Sequence, residues 1–222
     1  MKCRLHLALI LLLGCASGLS SSEVLDRVVA VVNGHPILAS EWDDVVRYEC
    51  FLNQCGLAEI TAAERQTTLQ RMIDQRLIEQ EMKMEDPHPV SAEEVSRKVG
   101  ELKAQILRNR ISTSGTESLE WKTAISQYGF TPEEVEDQVT HELSVLRFVD
   151  RRFRPAIQIE PAEIERYYRE TLMPQLEKAG APDPPLTEVA PQIRELLTQR
   201  VLNEQLGVWL QTLRQQGRIQ MR

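Results

Sequence analysis

The chain has 222 residues and a mass of 25.4 kDa, which fits one domain or one domain with a small appendage. Its formal net charge of −7 argues against nucleic acid or an anionic membrane surface as the main partner, because both require a basic surface. Apolar residues make up 42% of the chain, enough for a packed core, whereas aromatic residues make up only 5%. This composition favours packing between aliphatic helices over a β-sandwich or barrel.

The chain starts with a segment typical of export signals. Two basic residues precede a run of apolar residues that is too short to span a bilayer, and small residues follow. We therefore expect residues 1–22 to comprise a signal peptide and a short linker, and the mature protein to be exported to the periplasm. Two processing routes stay open. One is cleavage near Ala16–Gly18, and the other is lipidation of Cys15, at the end of a lipobox-like Leu12–Cys15, which would be the only link to the membrane.

A β-hairpin is predicted directly after this leader. Two apolar runs within Val28–Leu38 flank Asn33-Gly34, a pair that adopts the positive φ angles of a type I′ turn. Since an isolated hairpin is marginally stable in water, we expect a third strand, and the alternating Arg218–Met221 segment is the candidate. Ser40–Asp43 fits a capping box, which predicts a helix immediately after the hairpin.

Cys50 and Cys55 are the two cysteines left after removal of the leader. Cysteines this close in sequence can form a local disulfide in an oxidising compartment. The alternative is a pair of buried thiols. Catalytic thiol chemistry is not expected, because the spacing is not Cys-x-x-Cys and no histidine partner is evident. We therefore expect a structural disulfide.

Helices account for most of the remaining chain. Apolar residues recur at steps of three and four, and capping boxes open three helices at Thr61, Ser91 and Thr131. The predicted helices span residues 61–85, 91–110, 131–152, 160–172 and 187–216, with a shorter one around residues 119–125. Residues 156–159 are predicted to be extended, and residues 179–185 to form a linker. The predicted fold class is therefore mainly α with a small antiparallel β-sheet (α+β).

No catalytic or metal-binding pattern occurs in the sequence. The four histidines are scattered, and no clustered Cys/His spacing, nucleophile elbow, phosphate loop or dinucleotide fingerprint is present. We therefore expect no catalytic residue, no cofactor and no metal. Methionine and aromatic side chains suit an adaptable surface for extended peptides. The candidates are Met72, Met82, Trp121, Tyr128, Phe130 and Phe148. The alternative for each is packing in the core.

Five segments, in their order along the chain, resemble parts of the SurA-type periplasmic chaperones. The hairpin with Ser40–Trp42 resembles their start, and Thr68–Glu81 resembles their second element. Tyr128–Glu134 resembles the family segment in which a glycine and an apolar residue are followed by two glutamates at the start of a helix. Ile157–Tyr168 resembles the lead into the isomerase module, and Pro185–Ile219 resembles the terminal helix and closing strand. The resemblance covers nearly the whole mature chain.

The resemblance implies a fold and the loss of one domain. It implies a chaperone domain over residues 23–222, like the peptide-binding domains of trigger factor and SurA. In it, helix 187–216 and strand 218–221 pack back on the N-terminal part. In the family a parvulin-type prolyl isomerase precedes the terminal helix, whereas only Arg169–Pro185 lies there in this chain. That stretch is too short for a domain, which needs at least about 50 residues.

The function implied by the resemblance is that of an ATP-independent periplasmic chaperone without isomerase activity. Its partners would be unfolded or nascent secreted and outer-membrane polypeptides, with the outer-membrane assembly machinery as a further partner. Nucleic acid is not expected. Two alternatives stay open: a residual peptidyl-prolyl isomerase, and a dedicated assembly or scaffold subunit of the envelope that binds one partner.

Overall fold

The computed structural model of the protein describes residues 26–85, 89–108 and 117–222. The predicted signal peptide, the lipidation candidate Cys15 and the segments 86–88 and 109–116 lie outside the described residues. The described part of the chain is mainly α with a small antiparallel sheet, which confirms the predicted fold class. Within it, no helix combines the length and the apolar character needed to cross a membrane.

The elements of the described residues follow one another with short connections. They are β1 (Val28–Val32), β2 (His35–Leu38), α1 (Ala39–Asn53), α2 (Ala62–Met82), α3 (Ala92–Arg108), α4 (Glu117–Ser126), α5 (Pro132–Phe153), α6 (Pro161–Tyr167), α7 (Met173–Ala179), α8 (Leu186–Gln216) and β3 (Ile219–Met221). Short 3₁₀ turns occupy Leu57–Glu59 and Arg154–Ala156, and a π-helical turn at Tyr168–Leu172 joins α6 to α7.

The hairpin and the last strand form one antiparallel sheet with the strand order β2-β1-β3. Asn33 and Gly34 have φ angles of 51° and 87°, which confirms the predicted tight turn. Val31 lies opposite Gln220 in the pairing of β1 with β3, so the predicted closure of the hairpin by the end of the chain is confirmed. The side chain of Asn33 supports this closure, because its Oδ1 accepts the backbone N–H of Arg218 at 2.7 Å.

Three predicted capping boxes are confirmed, at Thr61, Ser91 and Thr131. In each, the hydroxyl oxygen accepts the backbone N–H of the glutamate three residues later. That glutamate's carboxylate accepts the N–H of the first residue in return. Each box thus provides partners for backbone groups that the helix itself leaves unpaired.

The capping box predicted at Ser40–Asp43 is wrong. Strand β2 leads into α1 without a loop, so the helix begins at Ala39 and Leu38 takes the cap position. The backbone N–H of Leu38 donates to the carboxylate of Glu41 at 2.9 Å, which retains only half of a capping box. The hydroxyl of Ser40 instead donates to Asp26.

The segment before the last helix differs most from the sequence prediction. Of residues 156–159, which are predicted to be extended, Ala156 instead belongs to a 3₁₀ turn, whereas Ile157 has extended backbone with φ −89° and ψ 121°. These residues pair with no strand of the sheet. The next helix, predicted to end at residue 172, continues to Ala179. Within it, the N–H of Met173 donates to the carbonyl of Tyr168, a step of five residues. This wider turn precedes Pro174, which lacks an N–H and cannot continue a regular α-helical ladder.

Buried side chains of the described residues fall into three clusters. The sheet core joins the sheet to α2 and contains Val29, Ala30, Val32, Ile37, Leu69, Met72, Ile73 and Leu77. The α3–α4 core joins α1, α3, α4 and the first half of α5 and contains Tyr48, Phe51, Val95, Ile106, Trp121, Ala124, Ile125, Val135 and Val139. The α5–α8 core joins α2, the second half of α5 and α8 and contains Ile78, Phe148, Val149 and Leu202.

Candidate peptide-binding groove

An apolar groove lies between α1, α2, α5 and α8. It consists of two adjoining hollows of about 290 and 520 Å³, which share lining residues of α1 and α5. We call it the α5 groove. The apolar residues that define its floor are Val45, Tyr48, Leu52, Met72, Ile78, Val145, Leu146 and Leu210. Tyr48, Met72 and Ile78 belong to three different cores, so the groove lies where the cores adjoin.

Helical periodicity explains how the floor residues come to share one surface. Val45, Tyr48 and Leu52 are three and four residues apart on α1, and the lining residues of α5 from Gln138 to Val145 repeat this spacing. Residues at such steps lie on one face of a helix. Each helix therefore presents a continuous strip of side chains to the groove.

The groove is long enough for a short extended peptide. Its α5 wall extends from Glu134 to Leu146, about 18 Å at a rise of 1.5 Å per residue. Five or six residues of an extended chain span about this distance. Leu146, one of the floor residues, is 62% exposed, so part of the apolar floor faces water. A bound apolar side chain would remove this surface from water.

Tyr48 and Glu142 are neighbouring polar groups among the residues that line the groove. Tyr48 is 4% exposed, and within the described residues its hydroxyl has no hydrogen-bond partner of acceptable geometry. The carboxyl of Glu142 accepts a hydrogen bond from the side-chain amide of Gln138 at 3.3 Å, and the hydroxyl of Tyr48 lies next to it. Burial raises the pKa of Tyr48, and the negative charge of Glu142 raises it further. Burial also raises the pKa of Glu142 above its ordinary value.

The rim of the groove is acidic at the end where Phe130 lies. Asp44, Glu134 and Asp137 line this end. Asp44 pairs with Arg47, and Glu134 is occupied by its capping box. Asp137 is exposed and forms no ion pair within the described part of the chain. At the opposite end the acidic side chains are balanced by arginines, since Glu49 pairs with Arg71 and Asp74 with Arg214.

Two of the six candidate peptide-binding residues, Met72 and Phe130, line the groove. Trp121 and Tyr128 instead pack in and against the α3–α4 core, with their ring centroids 5.8 and 5.6 Å from that of Phe51. Trp121 is buried, and the hydroxyl of Tyr128 donates to a backbone carbonyl at 3.0 Å. A peptide role for these two residues stays a prediction, and their packing favours the structural alternative.

The other two candidates belong to the α5–α8 core. Met82 packs against this cluster from its edge, and Phe148 is buried in it. The ring centroid of Phe148 lies 6.1 Å from that of Trp209, over which the guanidinium of Arg152 lies at 4.6 Å. The structure therefore does not bring the six candidates together at one site, and a binding role for Met82 and Phe148 stays a prediction.

The sequence interpretation missed the aliphatic part of the groove, above all Val45, Val145 and Leu146. These residues are aliphatic, whereas the sequence candidates are methionine and aromatic side chains. A possible signal is the width of the α5 stripe, because Leu143 and Leu146 both carry large side chains that one neighbouring helix cannot cover.

The two cysteines lie close together where α1 ends. Their Cα atoms are 5.0 Å apart, within the range that a disulfide requires. Between them, Gln54 has a φ of 54°, and this left-handed residue turns the chain back towards α1. No group of three or more metal-binding side chains occurs within the described ranges.

A model of SurA-like N-terminal domains matches residues 3–149. The chain belongs to this family. The matched part of the SurA-like domain contains α1, α2 and nearly all of α5, and so all walls of the groove except α8. The same comparison reports no parvulin domain. SurA-like N-terminal domains are chaperone domains of the periplasm, which supports a chaperone-like role for this chain. Comparison with curated proteins gives no match. The resemblance noted for residues 157–168 and 185–219 lies beyond the matched part and stays a prediction.

Proposed function

We propose that this SurA-like domain is an ATP-independent chaperone that binds unfolded or nascent polypeptides in the α5 groove, outer-membrane proteins among them, without isomerase activity. The observation that carries the proposal is the apolar floor of the groove, which is open to solvent and as long as five or six extended residues. The family supports it, and the negatively charged surface would keep a chaperone–client complex in solution.

The physical mechanism is transient burial of client side chains. A large apolar side chain contributes about 1.5–3 kcal/mol when it is fully removed from water. The cost of ordering an unfolded segment offsets part of this gain. A groove that holds one or two such side chains therefore binds weakly, and clients can leave it as they fold, without a nucleotide. The flexible side chain of Met72 in the floor suits clients of different shapes.

We also propose that the mature domain, residues 23–222, works in the periplasm with a disulfide between Cys50 and Cys55. The 5.0 Å separation of their Cα atoms supports this pairing. Intact mass measurement of the exported protein tests it, because a disulfide lowers the mass by two hydrogens relative to the reduced protein. The same spectrum shows whether the N-terminus is an acylated Cys15 or a free residue further on.

Aggregation of an unfolded β-barrel protein, followed by light scattering, tests the proposed function. Leu146→Asn and Val208→Asn are a matched pair, since both side chains are exposed, by 62% and 67%, and only Leu146 lines the groove. We expect the wild-type protein and Val208→Asn to suppress aggregation equally. Leu146→Asn should require about fivefold more protein, as the loss of about 1 kcal/mol of apolar contact implies. Failure of the wild-type protein with every unfolded client would contradict the proposal.

Two assays separate the alternatives. Acceleration of prolyl isomerisation in a peptide, well above the rate in buffer, would show a residual isomerase. Binding to one envelope protein, with no suppression of aggregation of any other, would indicate a dedicated assembly subunit, for example of the outer-membrane assembly machinery. The proposed chaperone should show neither behaviour.

A further inference from the structure

The carboxyl of Glu142 lies in the wall of the α5 groove without a cation of its own. Among the described residues its polar neighbours are uncharged: the side-chain amide of Gln138 donates to it at 3.3 Å, and the hydroxyl of Tyr48 lies next to it. Burial raises the pKa of Glu142, and Lys98 and His141 lower it through their charge alone, without a hydrogen bond to it. A partly buried carboxylate gains from any cation that reaches it, and the gain is larger in a groove that excludes water than on an open surface.

Tyr48 lies next to Glu142 in the same part of the groove. Its side chain lines both hollows of the groove and is 4% exposed, and its hydroxyl faces the Glu142 carboxyl without forming, within the described residues, a hydrogen bond of good geometry. Buried polar groups normally have partners. A pair of neighbouring polar groups without a cation, in a mainly apolar groove, points to a ligand that carries polar as well as apolar groups.

The rim adds charge of the same sign. Asp44, Glu134 and Asp137 line the end near Phe130, and Asp137 has no ion pair within the described residues. Arg47 brings a positive charge to this end, since it pairs with Asp44 and its guanidinium lies over the Phe130 ring. A client segment entering at this end therefore meets negative charge first and the apolar floor next, a pattern complementary to cations beside apolar side chains.

We infer that the α5 groove prefers client segments in which lysine or arginine flanks an apolar side chain, with the apolar group on the floor and the cation beside Glu142 or Asp137. This inference rests on the proposed function, because it specifies which part of an unfolded polypeptide the groove selects. The groove discriminates against segments flanked by Asp or Glu, which would bring like charges together.

Fluorescence anisotropy with three labelled peptides tests the preference. The peptides are about nine residues long, enough to extend beyond the groove at both ends. They share a leucine-rich centre and are flanked on both sides by Lys, Ser or Glu. We expect the Lys-flanked peptide to bind about tenfold more tightly than the Ser-flanked one, the size of one partly buried charge-assisted hydrogen bond. Higher salt concentration should reduce this ratio, and the Glu-flanked peptide should bind most weakly.

Glu142→Gln and Glu136→Gln are matched variants for this assay. Both remove one negative charge from α5, but Glu136 is exposed and does not line the groove. Glu142→Gln should lower the preference for Lys over Ser to about threefold or less, whereas Glu136→Gln should leave it unchanged. Asp137→Asn, at an exposed position, provides a second variant that should reduce the preference even if Glu142→Gln destabilises the fold.

The peptide assay tests the charge preference separately from the proposed chaperone function. Equal binding of all three peptides would overturn the charge preference and leave the proposed function intact. A preference for Lys that is the same in Glu142→Gln, Asp137→Asn and Glu136→Gln would show that the net charge of the protein, and not the groove, selects the cation. If none of the peptides binds, the proposed function fails and this inference fails with it.

Discussion

At the scale of single residues, Asn33 links three distant parts of the chain. Its positive φ forms the hairpin turn, and its Oδ1 accepts the N–H of Arg218 at 2.7 Å. Its Nδ2 donates to Oε1 of Gln80 on α2, also at 2.7 Å. The turn, the end of the chain and a core helix therefore depend on the same side chain.

Substitution of Asn33 separates these contributions. Asn33→Gly keeps the positive φ and removes both side-chain hydrogen bonds, so we expect a loss of about 1–2 kcal/mol in the free energy of unfolding. Asn33→Ala also strains the backbone and should lose about 2–3 kcal/mol. Urea denaturation measures both values. Equal stabilities of Asn33→Ala and the wild-type protein would show that the turn does not need this residue.

The residue scale also gives a prediction for acid. The hydrogen bonds from Arg147 hold the pKa of Glu94 at about 2, below its ordinary 4.5. A carboxyl with a lowered pKa stabilises the folded state above pH 4.5, and this contribution disappears as the pH falls from about 4.5 towards 2. In an NMR titration, Arg147→Gln should raise the pKa of Glu94 towards 4.5. Glu195, whose pKa of about 2 is set by Arg154, is the internal control and should not shift.

At the scale of elements, the short strand β3 completes the fold. It pairs with β1, and Ile219 packs against the sheet core. Helix α8 contacts α2 and α5, and β3 follows it directly along the chain. The last helix and strand of the chain are therefore structural parts of the unit that begins at the hairpin.

Removal of β3 tests this role. Deletion of residues 218–222 should lower Tm by roughly 10 °C, because the hairpin loses its third strand and the Ile219 contact. Met221→Ser is the control, since it keeps the backbone pairing and alters a side chain that is 49% exposed. Its Tm should stay within about 2 °C of the wild-type value. A truncated protein that melts like the wild-type protein would contradict the closure.

Local signals account for the elements that the sequence predicts well. The boxes at Thr61, Ser91 and Thr131 start their helices because both partners lie within one turn. The box at Ser40–Asp43 failed because the end of a strand set the helix start, a constraint from the sheet that a pattern of four residues does not contain. The π-helical turn before Pro174 likewise depends on more than the local pattern. Proline interrupts the α-helical hydrogen bonds there, while neighbouring elements hold the helix in place.

The groove was predictable only in part, for a physical reason. An apolar stripe shows which face of a helix turns inward, but not which of its residues a neighbour covers. Leu143 is half-buried against the α3–α4 core, whereas Leu146, three residues later on the same stripe, is 62% exposed. Among the aromatic and methionine candidates, the sequence could not separate the groove residues Met72 and Phe130 from those in the cores.

At the scale of the whole molecule, the buried side chains of the described residues form three small cores and not one large core. They adjoin at the α5 groove, whose floor takes Tyr48, Met72 and Ile78 from the different cores. Small changes in how the cores pack against each other would widen or narrow the groove, which suits clients of different size. The SurA-like domain thus has an open apolar groove where its three cores adjoin.

The central claim is that unfolded polypeptides bind in the α5 groove, and site-specific photo-crosslinking tests it most directly. A photoreactive amino acid placed at Leu146 lies in the groove, and one placed at the equally exposed Val208 lies outside it. With an unfolded β-barrel protein as client, we expect adducts from position 146 that excess unlabelled client suppresses, and few adducts from position 208. Equal adducts from both positions, or adducts from position 208 alone, would contradict the account.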